Sequence, residues 1–418
     1  MRDPSAVERS QPEVTPPHYD LILALDPRFP GGTSTAISRE LETLLATPLS
    51  LAVVRINAPV FPPDQPEHPG LAARIAEAAI PVLRPDQTAS CDLLVAHNPM
   101  AFELGLPPQP RITARRRIII AHHVPVDGLG GLFYDPVRVQ RRLIAAFGGV
   151  FHWVPISEGC RRNLMNSGVP VPVVDRFWPP LVDVRKWGQP RERLLGPTPV
   201  VGRHSRPDRL KWPSRVADLH AMFPEAADLR VRLLGYGEAV AREVGPTPAN
   251  WEPLPFGTEP VDRFLAGIDF FVYQHHDRFI ETFGLTIAEA MASGAVAILT
   301  PNLRVNFADA ALFADPADMP AVVRRLAADP KAFARQSSIG WNWVRTHCGP
   351  ENYLDAVRAL AADPAAADAP SVTMVTETED GRRKRRLHDR RVMLRRAGRL
   401  VRGLPFGGRI LDHLRGRG

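Results

Sequence analysis

Two glutamates, Glu281 and Glu289, bracket seven residues inside DRFIETFGLTIAEAMASGAVAILT, residues 277–300. The apolar run IDFFVY, ending at Tyr273, reads as a buried parallel strand. Gly284, followed by small and apolar residues, marks a tight passage into a helix that starts near Leu285. Both carboxylates therefore flank a strand-to-helix turn, which in an open parallel sheet lies at the carboxyl end of the strands, where ligands bind. The start of such a helix aims free backbone N–H groups at an anion, and an ionised carboxylate accepts strong hydrogen bonds from hydroxyls. Together they would recognise an anion joined to a polyol. A structural use is open for Glu289, because Thr286 and Glu289 also fit S/T-x-x-E, a capping box closed on its own helix.

Other residues fit the same chemistry. Gly31 and Gly32 follow the strand DLILALDP and open a helix; paired glycines let a backbone approach a ligand closely, or simply make a turn. Two later strands end in histidine, His97 in HNP and His122 with His123 in AHHVP. A histidine there either meets a ligand or is a hydrogen-bonded structural residue. In TPVVGRHSRPDRLKWPS, Arg203 closes a strand and Lys211 comes later. Fixed positive charge at the mouth of a sheet suits a diphosphate leaving group, on which negative charge grows as its bond breaks. Arg206 and Arg209 share that segment, and a solvated basic loop is the alternative. The Gly235-Tyr236-Gly237 turn is too short for a dinucleotide fingerprint. Cys91, Cys160 and Cys348 are odd in number and far apart, which indicates neither a disulfide framework nor a zinc site and fits a reducing compartment.

A chain of 418 residues suggests two globular domains, and 44% hydrophobic with 23% charged residues is ordinary for a soluble enzyme. Near-continuous apolar runs (DLILALDP, LAVVRI, DLLVAH, RRIIIAHH) separated by helix-sized gaps indicate parallel sheets covered on both faces, an α/β class. The first twenty residues lack the apolar region of a signal peptide, and no run reaches the roughly 18 apolar residues of a membrane span, so a cytoplasmic location is expected. The expected divisions are a flexible arm at 1–18, a first domain at 19–190, a second at 191–362, a linker at 363–381 by composition, and a basic tail at 382–418.

The tail holds 14 of the 52 Lys+Arg and 2 of the 45 Asp+Glu, so the basicity of the chain belongs there and the rest is slightly acidic. Leu387, Leu394 and Val401 repeat every seven residues, with Met393, Leu400 and Leu404 on the same side and arginines on the other. A basic amphipathic helix of this kind suits an anionic membrane surface. The alternatives are a solvated tail and nucleic-acid contact; for the latter no aromatic stacking platform is present, and no nucleic-acid partner is expected.

The stretch ETFGLTIAEAMASGA, residues 281–295, resembles the E-x7-E signature of retaining, nucleotide-sugar-dependent glycosyltransferases of the GT-B fold, in the large family 4. The resemblance covers about residues 20–362. It implies two Rossmann-like domains facing across a cleft, with acceptor on the first, nucleotide sugar on the second, and a final helix crossing back. It also implies roles: Glu281 on hydroxyls of the transferred sugar, Glu289 on the nucleotide's ribose, Phe283, Gly284 and Leu285 beside the donor, and Arg203 with Lys211 as a diphosphate clamp. Gly31 and Gly32 would let the donor sit close to the first domain, and either His122 or His123 would meet the donor sugar. Ser157 would cap the helix that follows VFHWVPIS. The chain departs from the pattern in a long gap between Arg203 and Lys211, in Trp212 where a glycine normally follows, in Asn306 where most relatives place glycines and a glutamate, and in a linker that keeps only Val182 and Asp183.

The activity the resemblance implies is transfer of a sugar, with retention of configuration, from a nucleotide-diphosphate sugar to an acceptor; the basic tail alone suggests a glycan or lipid-linked acceptor in cell-surface polysaccharide synthesis, with the enzyme peripheral on the inner face of the membrane. The chain contains no D-x-D, the usual metal-diphosphate motif of the other major glycosyltransferase fold, and neither an obligatory metal nor a cofactor is expected. A nucleotide-sugar 2-epimerase of the same fold and a non-catalytic GT-B binding protein are the rival readings.

Overall fold

The computed structural model describes residues 15–362 and 369–402, with side chains as far as residue 394. Most of the expected N-terminal arm, the start of the expected linker and the tail beyond residue 402 lie outside the described residues. Two parallel sheets dominate. In the first domain, β1 (His18–Leu25), β2 (Leu51–Arg55), β3 (Thr88–His97), β4 (Arg111–Ala121), β5 (His152–Pro155) and β6 (Pro172–Val174) run parallel. In the second, β7 (Val200–His204), β8 (Arg230–Leu234), β9 (Trp251–Leu254), β10 (Phe270–Tyr273), β11 (Val296–Leu299) and β12 (Leu312–Phe313) do the same, in the order β12-β11-β10-β7-β8-β9.

The apolar runs become central strands because helices cover both of their faces. Leu23 pairs with Val53 on one side and Val95 on the other, all three buried. Its neighbours Ile22 and Ala24 belong to the opposite packing layer. In the second domain the buried run Phe270–Tyr273 pairs with β11, and Phe270 and Phe271 also pair with Val201 and Gly202 of β7.

Helix Pro350–Ala361, at the end of the second domain's sequence, returns to the first. Its Tyr353, Val357 and Leu360 pack with Leu21, Leu23 and Trp178. The segment that composition assigns to a flexible linker differs from that expectation where it is described. Strand β13 (Val372–Met374) pairs antiparallel with β6, completing a first sheet of order β13-β6-β5-β4-β3-β1-β2, and Val375 is buried. The alternation of β-branched and apolar residues in SVTMV prevails there over the surrounding prolines and alanines.

Helix Glu379–Arg402 follows. Its beginning is docked on the first domain: His388 is buried, with Nδ1 3.1 Å from the Leu132 carbonyl and Nε2 2.8 Å from Glu103, and Arg385 reaches Asp135 at 3.1 Å. Leu387, Met393 and Leu394 face outward, exposed to 45, 70 and 72%. No helix among the described residues is long and apolar enough to cross a membrane.

Candidate active site

Glu281 lies in the loop after β10, on the path into the helix Leu285–Ala292. Its Oε2 accepts from Lys211 Nζ at 2.9 Å and from the Tyr273 hydroxyl at 2.8 Å. Burial pushes this carboxyl up, but the ammonium and the hydroxyl outweigh burial and hold it below its usual range. Lys211 also sits 4.0 Å above the Phe279 ring. Glu281 is therefore an ionised, oriented acceptor, and it borders a cavity of about 680 Å³ lined from the first domain by Arg162 and Asn166 and from the second by Gln274, His275 and Phe279.

Glu289 lies two turns further on and does not close a capping box. The helix is capped by Gly284 with no side-chain bond, and the Glu289 carboxylate leaves its own helix to meet Arg39 of the first domain, Nη2 to Oε1 2.7 Å. Burial raises its pKa, offset in part by Arg39. His204 Nε2 stands 3.6 Å from the other oxygen, and burial, with Arg203 and Arg39 nearby, pulls that ring down to about 3, so it is neutral.

Gly284 takes φ +102°, which only glycine adopts readily, and a Cβ there would press on Ile287 and Phe307. The turn leaves the first amides of the helix, beginning at Leu285, without intrahelical partners. Phe283 is core: it packs on Phe307 and Trp343, with centroids 5.4 and 6.5 Å away, and does not line the cleft beside Glu281. Asn306 is a staple between domains. Its Oδ1 accepts from Gly159 N–H at 2.9 Å, and its Nδ2 donates to the Phe283 carbonyl at 3.1 Å. Ser157 caps the helix Glu158–Met165 through Cys160 N–H and donates its hydroxyl to the Thr282 carbonyl across the same junction.

The arginine expected in the diphosphate clamp lies beneath Lys211, next to the other expected member. Arg203 is fully buried, its guanidinium 4.1 Å from the Trp212 ring and 4.8 Å from Tyr273, donating to the carbonyls of Gln274 and Lys211. Burial lowers it to about 10. It props Lys211 from beneath, and its charge and that of Glu281 act on one another. Arg206, in the same segment, is half-buried, and its Cδ lies 2.8 Å from where a Cβ on Gly31 would stand. Gly31, at φ +75°, caps the helix Gly32–Leu45; a Cβ on Gly32 would meet nothing within 4 Å. Gly31 thus stands directly against the Arg206 side chain of this basic loop.

The two histidines part company. His122 Nε2 faces His97 Nδ1 at 3.1 Å, inside the first domain. His123 is held by its carbonyl, which accepts from the Tyr134 hydroxyl at 2.7 Å. Burial lowers its ring to about 4, and the charges that act on it are Lys211, Arg206 and Glu281, so the neutral ring of His123 faces the second domain's site. Sequence reasoning missed Arg39, Tyr273 and His204, and named Arg206 only as an alternative. Among the described residues, no group of three or more His, Cys, Asp or Glu is placed to hold a metal ion.

No protein-family model matches the chain, and no curated protein sequence does. Solved structures resemble it in fold. Anabaena HepE, in complex with UDP and glucose, gives a TM-score of 0.58 at 12% identity over 82% of this chain and 100% of that one. A glycosyltransferase from Rickettsia africae gives 0.53 at 10% identity, covering 82% and 98%. An alpha-glucosyltransferase in complex with UDP and a 13-mer DNA containing a central A:G mismatch gives 0.53 at 12%, covering 82% and 98%. Two Rossmann-like domains, each built on a parallel sheet, and the likeness to these structures make this the GT-B fold.

Proposed function

We propose that this GT-B chain is a glycosyltransferase, moving a sugar from a nucleotide-diphosphate donor to a glycan or lipid-linked acceptor with retention of configuration, in the manner of family 4. The observation that carries the reading is the Glu281–Lys211–Tyr273 cluster, an ionised carboxylate and an ammonium oriented together at a GT-B cleft beside a helix start that has no side-chain cap. HepE, of like fold, was solved with UDP and glucose, which supports a nucleotide sugar as donor.

In this reading Glu281 accepts from hydroxyls of the transferred sugar, and Glu289 binds the ribose once Arg39 lets go. Lys211, Arg206 and the amides at Leu285 stabilise the diphosphate as its charge develops. Gly31 permits close approach, and neutral His123 adds a hydrogen bond to the sugar. Catalysis is then positioning and leaving-group stabilisation, with a front-face displacement and no covalent nucleophile. Neither a metal nor a cofactor is required. The exposed Leu387, Met393 and Leu394, flanked by Arg383, Arg386 and Arg390, support an anionic membrane surface as a partner and a peripheral location at the inner face, in polysaccharide synthesis.

The test is calorimetry with UDP, GDP and ADP, each with magnesium and with chelator, followed by donor turnover with Glu281→Gln. One nucleotide should bind independently of metal, and the variant should keep its fold and that binding while losing about 10²–10³-fold in turnover. Unchanged turnover in the variant would remove Glu281 from the site. Interconversion of the donor sugar with no transfer would favour an epimerase.

A further inference from the structure

The cavity beside Glu281 stands apart from most of the groups assigned to the donor. Among its lining residues are Glu281 but neither Lys211, Arg206, Gly31, His123 nor Glu289. The two hydrogen bonds that orient Glu281, from Lys211 and Tyr273, both fall on Oε2, which leaves Oε1 to accept from a hydroxyl. The volume of about 680 Å³ lies within the range of about 300–1,000 Å³ of small-molecule sites, so a single transferred sugar at Glu281 would fill only part of it. Both domains contribute walls, and these are pinned to one another where Asn306 accepts from the Gly159 N–H at 2.9 Å.

The lining suits hydroxyls. His275 is buried, and its Nδ1 lies 2.9 Å from the His276 carbonyl, which can only accept, so Nδ1 carries the proton. Burial lowers the pKa of this ring and keeps it neutral, which makes Nε2 an acceptor. Asn302 Nδ2, 3.3 Å away, donates to that nitrogen, and this fixes the Asn302 amide with its Oδ1 turned away from the ring. Gln274 Oε1, in the same wall, is buried without a hydrogen-bond partner, an acceptor that is costly to leave unpaired. Phe279 and Val305 add apolar surface for the C–H groups of a sugar ring.

The same lining disfavours an anion. Its charged side chains are Glu281, Asp277 and Arg162, and Arg162 is already engaged by Glu158, Nε to Oε1 2.7 Å. The balance is negative, which repels a phosphate. A sugar hydroxyl both donates and accepts, and so matches amides and carboxylates in one wall. We propose that this cavity is the acceptor subsite and takes the neutral end of a glycan, about two sugar rings deep. The proposal rests on the transferase reading and narrows it: the glycan end enters the cavity, and any phosphate-bearing lipid carrier stays outside. Asn302 and Gln274 accept from the glycan's hydroxyls, exposed Asn166 pairs with them at the rim, and Glu281 stands where acceptor and transferred sugar meet.

The test is calorimetry on the full-length protein saturated with UDP, so that the groups assigned to the diphosphate are occupied. The neutral probes are maltotriose, cellotriose and mannotriose, and the anionic probes are glycerol 1-phosphate and geranylgeranyl diphosphate. Asn302→Leu removes the oriented amide, and Asn166→Trp fills the cavity. At least one neutral trisaccharide should bind and the anionic probes should not. Each variant should weaken that binding about 10-fold or more, with UDP affinity and Tm reporting that the fold is intact. Failure of all three saccharides beside bound UDP overturns the proposal and leaves the transferase reading standing. Anionic probes that bind and are weakened by the variants, or saccharide binding that both variants leave unchanged, overturn it equally. Absence of UDP binding counts against the transferase reading; saccharide binding that the variants weaken then keeps the cavity as a glycan site, and its absence removes that too.

Discussion

Replacing Arg39 with methionine should strengthen nucleotide binding. In the structure the Glu289 carboxylate is occupied by Arg39 at 2.7 Å, so a ribose using Glu289 must first displace the guanidinium. A hydrogen bond between charged groups is worth about 1.5–3 kcal/mol. The Arg39 side chain is 24% exposed, and solvent screening reduces the competing interaction to about 1–2 kcal/mol. Methionine keeps an apolar stem against Trp187, over whose ring the guanidinium lies at 5.4 Å, and removes the competitor. At 1.4 kcal/mol per factor of ten, UDP should bind about 5- to 30-fold more tightly to Arg39→Met than to wild type. Calorimetry reads this directly, and the gain should disappear in the double variant with Glu289→Gln. Weaker binding to Arg39→Met would refute the reasoning, because it would mean that Arg39 holds the donor itself; equal binding would mean that Glu289 does not hold the ribose.

Three further outcomes can be checked. Asn306→Ala strands buried backbone groups of both domains and should cost about 1–3 kcal/mol in urea titration, whereas a surface asparagine would cost almost nothing. Glu40→Gln should alter the pH dependence of stability: between the ordinary carboxylate range and about 8 the folded chain binds a proton that the unfolded chain does not, so wild-type stability falls as pH rises through that window. The variant's Tm relative to wild type should therefore climb from pH 5 to pH 9, and a constant difference would contradict a buried acid. Removing residues 379–418 should abolish binding to anionic vesicles and destabilise the first domain by uncovering Glu103 and Asp135, whereas removing 395–418 should leave that domain's stability unchanged; equal stability of the two truncations would show that the docked segment contributes nothing.

What could be read from the sequence was what is local. The Glu281–Glu289 spacing, the strand before it and the glycine turn lie within one short segment, and the structure keeps them together. Arg39 was hidden because its partner lies 250 residues away and an arginine on a helix looks like any solvated one. The burial of Arg203 was not legible because a basic residue at a strand end does not reveal which way it points. The signal was present in Trp212, whose ring, standing where a glycine was expected, is what the guanidinium stacks on. His122 and His123 could not be separated in sequence because neighbours at a strand end face opposite ways, and only the partners, His97 for one and the charges of the second domain for the other, tell them apart. In the tail the seven-residue repeat picked out the outward stripe, while the docked face is made of Arg385 and His388, whose acidic partners are far off in sequence.

The antiparallel strand at Val372–Met374 has a consequence for biosynthesis. The first sheet draws its edge from Val372–Met374 and its cover from the helix Pro350–Ala361, both later in the chain than the second domain's strands, which all come from residues 200–313. A ribosome delivers the N-terminal strands early but releases the pieces that close them only after every strand of the second sheet has been made. The half of the molecule made later is therefore able to finish first, and the half made first must wait with β6 unpaired on one side. Stalling translation just before residue 350 should leave a native second half joined to a first half open to protease.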